Sequence, residues 1–278
     1  MKHLIQTDSI GYEQNKAMMY NRIIVDKQNK SVYCIKKDEY KTVDLGLTSG
    51  TLWCDRNIGA KSPTDVGLYF AWGEIVGYTA EEISNGVHTF DFDSYKYGHV
   101  EVISKDQSTT TSMEMVTKYI PDTDLSECDG LYELEIIDDA AYQNTNGSFI
   151  IPSPSQLIEL FQETNVYMIT NDGNEIKATY DEDSMSCLLN NDSESIKFKG
   201  FECRNKIDEN IKLFFPTIDK EISKDTIETT NDEMAFQLNI LGEGIYKNVI
   251  GWGNPFGFTG RSISRHKCAP VRGVAFVK

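Results

Sequence analysis

The chain has 278 residues with a hydrophobic fraction of 40%, enough for a sizeable core in one large domain or two small ones. Its net charge of −16 argues against nucleic acid, whose phosphates it would repel, and fits an acidic solvated surface or basic partners. No stretch approaches the roughly 18 apolar residues of a membrane span. The opening MKHLIQTDSIGYEQNK lacks the apolar core and cleavage site of a secretory signal. The chain is therefore expected either to be a mature form or never to pass a membrane.

In chain order, Tyr12–Tyr20 suits a short helix, and Arg22–Val25 and Ser31–Ile35 read as strands around the polar turn Asp26–Lys30. Such a hairpin is marginal alone and must pack on the main domain or on a partner. Val43, Leu45 and Leu47 alternate with polar or small residues, Thr48-Ser49-Gly50 turns, and Thr51–Cys54 resumes an extended run. Ser62-Pro63-Thr64-Asp65 suits a helix N-terminus. Gly67–Glu74 sets Tyr69, Phe70 and Trp72 between glycines. Ile75–Ser112 reads as a long excursion with little regular structure. Within it, Phe90–Tyr97 alternates aromatic and polar residues, either an aromatic knot or a sugar-binding surface.

Leu131–Ala141 and Ser153–Glu163 carry helical signals, the second with Leu157, Leu160 and Phe161 on one face. Asp138 and Asp139 are adjacent, so on a helix they point apart, and a cap or surface position is expected rather than an acid–base pair. Phe149–Ile151 is a strand stopped by Pro152. Val166–Thr170, Ser195–Phe201, Ile211–Phe215, Met234–Leu241 and Val271–Val277 read as further strands, giving an α+β domain.

No G-x-S-x-G elbow or phosphate loop is present, and Cys268 stands two residues after His266 without forming a pair by that spacing alone. Six cysteines (Cys34, Cys54, Cys128, Cys187, Cys203 and Cys268) include no C-x-x-C and are expected to be reduced. The histidines at 3, 88, 99 and 266 are dispersed, so neither a metal nor another cofactor is expected, and the chain is expected not to be an enzyme. Trp252–His266 is the best candidate surface, with Trp252, Asn254, Phe256, Arg261, Arg265 and His266 as binding residues. The competing reading is that Trp252, Phe256 and Phe258 close the core.

The strings VDLGLTSGTLW, NIGA, SP and GLYFAWGE are followed in order by VTKY, DDAA, FIIPSPSQLIE, LFFP and APVR. Together they resemble the Fibrobacter succinogenes major paralogous domain family, over Thr42 to Lys278. The resemblance implies one C-type-lectin-like domain at 42–278, carrying an N-terminal arm at 1–41. That fold is shared with formylglycine-generating enzymes and the variable receptor-binding proteins of diversity-generating retroelements. It implies a final strand returning beside the first, ligands on a loop-rich face and seldom catalysis. Relatives with formylglycine activity use two close cysteines near the C-terminal end, whereas Cys268 has no near neighbour. Calcium-binding lectin relatives carry a W-N-D string that is missing here, and Asn254-Pro255 is followed by Phe256, so calcium is not expected.

The resulting expectation is a phage virion component (head fibre, tail fibre or capsid decoration), homo-oligomeric and without membrane insertion. Its arm would join other virion proteins and its loops would meet a host-surface glycan or protein. The alternative is a binding protein of a bacterial cell surface or periplasm.

Overall fold

The computed structural model describes residues 20–26, 31–36, 40–105, 110–120, 129–181, 186–189, 198–218, 235–241, 246–253 and 257–275. Strands β1 (Tyr20–Asp26) and β2 (Ser31–Lys36) pair antiparallel as a two-stranded sheet of their own, as the two apolar runs anticipate. The expected helix at Tyr12–Tyr20 lies outside the described residues apart from Tyr20, which opens β1.

Strands β3 (Thr42–Asp44) and β4 (Leu52–Cys54) follow. Two carboxylates from a later helix hold the turn between them: Ser49 N–H donates to Glu159 at 2.7 Å and Thr48 N–H to Glu163 at 2.6 Å. The chain then passes through β5 (Tyr69–Phe70), α1 (Ala80–Ser84) and the hairpin β6 (Gly98–Lys105)–β7 (Thr110–Val116). Next come α2 (Ala140–Asn144), β8 (Phe149–Ile150) and α3 (Pro154–Glu163). Strands β9 (Thr164–Thr170), β10 (Glu175–Asp181), β11 (Ser186–Leu189), β12 (Phe198–Asn205) and β13 (Lys212–Pro216) follow. The chain ends through β14 (Ala235–Leu241), β15 (Tyr246–Gly253), β16 (Gly257–Ser264), β17 (Ala269–Pro270) and β18 (Val274–Ala275).

An eight-stranded antiparallel sheet runs in the order β13-β12-β9-β10-β11-β16-β15-β14. A smaller sheet, β3-β4-β18-β8, joins the two ends of the domain through the pairs Val43↔Trp53, Trp53↔Val274 and Val274↔Ile150. The final strand thus lies beside β4 and β8 instead of beside the first strand of the domain. β3 takes the outer edge, where Thr42 and Asp44 are exposed and polar, as an edge strand requires.

The fold is mixed, with few helices and several antiparallel sheets among the described residues, a pattern compatible with an α+β or a mostly-β class. No helix among those residues is long and apolar enough to cross a membrane.

Helix α3 forms where the sequence places it. Ser153 caps it, Gln156 reaches back to the Ser153 N–H at 2.9 Å, and Pro154 opens the first turn. Its apolar face, Leu157, Leu160 and Phe161, packs with Val166, Met168, Phe201 and Phe215 of the large sheet and with Trp53 of the small one. Each fully buried side chain of that size contributes about 1.5–3 kcal/mol relative to exposure. Arg272, 0% exposed, ties the C-terminal segment into this core. Its guanidinium donates to Asn57 Oδ1 and to the Phe214 carbonyl, both at 2.8 Å, and lies 4.3 Å from the Phe215 ring centroid. Burial pushes its pKa down to about 10.

Three expected elements differ. Ser62–Asp65 forms a turn instead of a helix start, because Asp65 spends its carboxylate on the N–H groups of Lys61 and Gly67. Gly67 then reverses the chain at φ 80°, where a Cβ would meet the Ile58 carbonyl at 2.4 Å. The excursion Ile75–Ser112 is more regular than expected. Thr79 and Glu82 build a capping box for α1, and the β-branched Thr110 and Thr111 enter β7. The helical signal at Leu131–Ala141 shrinks to a 3-10 turn at Ile136–Asp138 followed by α2. Ile136 and Ile137 are 41% and 65% exposed, so the apolar periodicity there marks no buried face.

Candidate ligand-binding site

A cavity of about 350 Å³ opens between the segment after α1 and the turn after β16, lined by Ile83, His88, Phe90, Phe92, His266 and Lys267, with Thr89 and Asp91 at its rim. The alternation of Phe90-Asp91-Phe92-Asp93 explains the wall. Phe90 and Phe92 turn inward, 5% and 6% exposed, while Thr89, Asp91 and Asp93 turn out. Asp91 closes the local turn by accepting the Thr89 hydroxyl at 2.6 Å and the Ser94 N–H at 2.8 Å. These bonds, with His266 nearby, hold its carboxyl below the usual range.

The two imidazoles are held by rings. His88 stacks on Tyr78 with centroids 4.1 Å apart and planes 2° from parallel, and meets Phe90 edge-on at 4.7 Å. His266 meets Phe92 edge-on at 5.6 Å. A second hollow of about 290 Å³, between the end of α3 and β9–β10, has no such ring wall beyond Phe161 and Tyr180.

From the cavity a row of rings leads inward: Phe92 to Tyr95 at 6.3 Å, Tyr95 to Tyr97 at 6.0 Å and Tyr97 to Tyr119 at 5.7 Å. It ends at Asp138, which is 2% exposed. The expectation of a cap or surface position therefore suits Asp139 and not Asp138. Asp139 caps α2 by accepting the Tyr142 N–H at 2.8 Å. Asp138 accepts from Lys96 Nζ, Lys118 Nζ and Tyr119 Oη, each at 2.7 Å. Burial alone would raise its carboxyl pKa; the donors overcome burial and hold it well below the usual range. Burial and Asp138 together push Tyr119 up to about 12. Tyr119 itself sits at φ 61°, held there by the Asp129 carboxylate, which accepts the N–H groups of Tyr119 and Ile120.

The expected binding residues separate. His266 lies on the cavity. Arg265, its neighbour, is 2% exposed and turned inward. Its guanidinium donates to the Lys118 carbonyl at 3.1 Å and lies 5.7 Å from the Trp72 ring centroid, so it braces the ring cluster beneath the cavity. Burial lowers its pKa. Trp252 and Arg261 lie on the adjacent strands β15 and β16, where the backbone pairs Trp252 with Phe258 and Val249 with Arg261. Asn254 and Phe256 lie outside the described residues. His88 and Lys267 were not singled out by sequence; the sequence signal for this wall is the ring alternation at Phe90–Tyr97.

Three cysteines among the described residues are enclosed. Cys54, Cys203 and Cys268 are free and buried, and burial pushes the Cys54 thiol up to about 11 and the Cys203 thiol up to about 12, far from the reactive thiolate. No group of histidine, cysteine and acidic side chains suited to a metal occurs among the described residues. Comparison of the chain with protein-family models, curated proteins and solved structures gave no match.

Proposed function

We propose that this chain is a non-enzymatic binding protein of a phage particle (a head fibre, tail fibre or capsid decoration) that displays a C-type-lectin-like domain for recognising a surface glycan or protein. The observation that carries the binding role is the cavity at His88, Phe90, Phe92 and His266, whose ring walls are pre-set by packing. Pre-set walls lower the ordering cost of binding. Two features support the C-type-lectin-like arrangement. The ends of the domain meet in one small sheet, and long connections separate its strands. The hairpin β1–β2 supports attachment, since it forms its own two-stranded sheet whose edges can accept a further strand from a neighbouring subunit.

The test is a panel of immobilised bacterial surface polysaccharides and proteins, probed with the purified full chain and with Thr89→Trp. Thr89 stands exposed at the rim, so an indole there fills the cavity from outside. The expected result is selective binding that falls at least tenfold in the variant while its melting temperature stays within a few degrees of wild type. No binding to any member, or binding that Thr89→Trp leaves intact, refutes the cavity as the ligand site.

A further inference from the structure

We infer that the exposed apolar strip at Val76, Tyr132, Ile136 and Ile137 docks a cationic amphipathic segment of another protein. Aliphatic residues of that segment would lie on the two isoleucines and its lysines or arginines on Glu133 and Glu135. The inference is independent of the cavity, since none of these residues lines it.

Val76, Tyr132, Ile136 and Ile137 are 58%, 54%, 41% and 65% exposed, four of the eight exposed large apolar side chains among the described residues. Such residues are ordinary when scattered singly, whereas a group of them rimmed by charge marks a contact surface. Helix α2 brings the two segments to one place. Gln143 Nε2 donates to the Ile136 carbonyl and the next residue, Asn144, donates through Nδ2 to the Ile75 carbonyl, both at 2.9 Å. Buried anchors on either side hold the strip out. Leu131 and Leu134 pack against the buried clusters before it. After it, Asp138 takes its three donors inside, and Asp139 accepts the N–H groups of Tyr142 and Ile151 at 2.8 and 2.9 Å. Tucking the isoleucines inward would break those bonds, so the apolar face is fixed before any partner arrives.

Charge selects the occupant. No lysine, arginine or histidine occurs between Lys118 and Lys177, while Asp129, Glu133, Glu135, Asp138 and Asp139 all fall close to the strip in sequence. Glu133 is exposed, and the Glu135 side chain stays 48% exposed even though Lys118 bridges to it. A second copy of this chain would set the same carboxylates against each other. A basic segment meets them with opposite charge while its apolar residues cover the isoleucines. An amphipathic helix presents both kinds of contact at once.

The probe is a short synthetic helix with leucine along one face and lysine along the other. Two control peptides keep its length, one with glutamate for lysine and one with serine for leucine. Fluorescence anisotropy reads binding to the full chain. Carbodiimide coupling of peptide lysines to carboxylates, mapped by mass spectrometry, locates the contact. The leucine–lysine helix should bind at least tenfold tighter than either control and couple chiefly to Glu133 and Glu135. The double variant Ile136→Ser, Ile137→Ser should weaken it at least tenfold while the melting temperature stays near wild type, since both side chains are exposed. Glu133→Gln should weaken it about threefold and flatten its salt dependence.

Equal binding of the serine control means that charge alone is recognised and overturns the inference. So does binding that the double variant leaves intact, coupling spread over carboxylates elsewhere on the chain, or no binding at all. An oligomer of the chain alone that dissociates in the double variant would make a second copy the occupant, and the basic partner would then be wrong.

Discussion

Replacing Asp138 by asparagine tests the best-defined electrostatic element of the domain. The side chain is 2% exposed and accepts three hydrogen bonds at 2.7 Å, from Lys96, Lys118 and Tyr119. A hydrogen bond to a charged group contributes about 1.5–3 kcal/mol, and breaking a buried ion pair from one side costs about 3–5 kcal/mol. The lysines discount that figure. Their side chains are 47% and 26% exposed, so both ammonium groups recover water once the carboxylate is gone. Asparagine also keeps one acceptor. The expected loss is therefore about 3 kcal/mol, a large share of a typical domain's 5–15 kcal/mol.

Urea unfolding at neutral pH reads it through tryptophan fluorescence, since Trp72 packs edge-on against Tyr119 at 4.9 Å. The pH dependence supplies a second check. The folded carboxyl titrates well below its ordinary value of 3.8, so its stabilisation is present above that value. It starts to fall as pH drops past that value and is lost only as pH falls through the lower folded value. The gap between wild type and variant should begin to narrow as pH falls below about 4 and go on narrowing further into acid. A gap under about 1 kcal/mol at neutral pH, or one that persists unchanged into acid, would show that the lysines are not paired with Asp138 in the folded protein.

Two further outcomes follow from the packing and the topology. Trp53→Ala and Trp72→Ala remove side chains that are 0% exposed, and each should cost about 3–5 kcal/mol in the same urea assay; a loss below about 1 kcal/mol at either site contradicts the core assignment. If the proposed attachment role holds, deleting residues 1–41 leaves a protein that no longer joins phage particles, measured by mass spectrometry of purified particles carrying the truncated gene. Wild-type occupancy would mean that the β1–β2 hairpin is ordinary packing.

Elements whose information is local were legible. The capping residues of α3, Ser153 and Gln156, lie within three residues of one another. The buried Trp53 also follows from the extended run around it. Elements defined by distant partners were not. Asp138 meets groups 42, 20 and 19 residues away, and nothing in DDAA tells which carboxylate goes inside. A helical reading makes the two equivalent. What separates them is that one caps a helix while lysines reach the other from elsewhere.

The cavity shows a different limit. From the sequence, Phe90–Tyr97 offered two exclusive readings, an aromatic knot or a sugar-binding surface. Burial favours the knot, since Phe90, Phe92, Tyr95 and Tyr97 are all 8% exposed or less. Yet Phe90 and Phe92 also wall the cavity, because a ring packed on one face can present its edge or second face to a hollow. Core packing is then what fixes the wall, with Tyr78 holding His88 flat and Phe92 seating His266. The other half of the wall, His266 and Lys267, comes from the far end of the chain, where the tight turn after β16 sends Arg265 inward and leaves its two successors lining the cavity. The two readings exclude each other only while residues are judged one segment at a time.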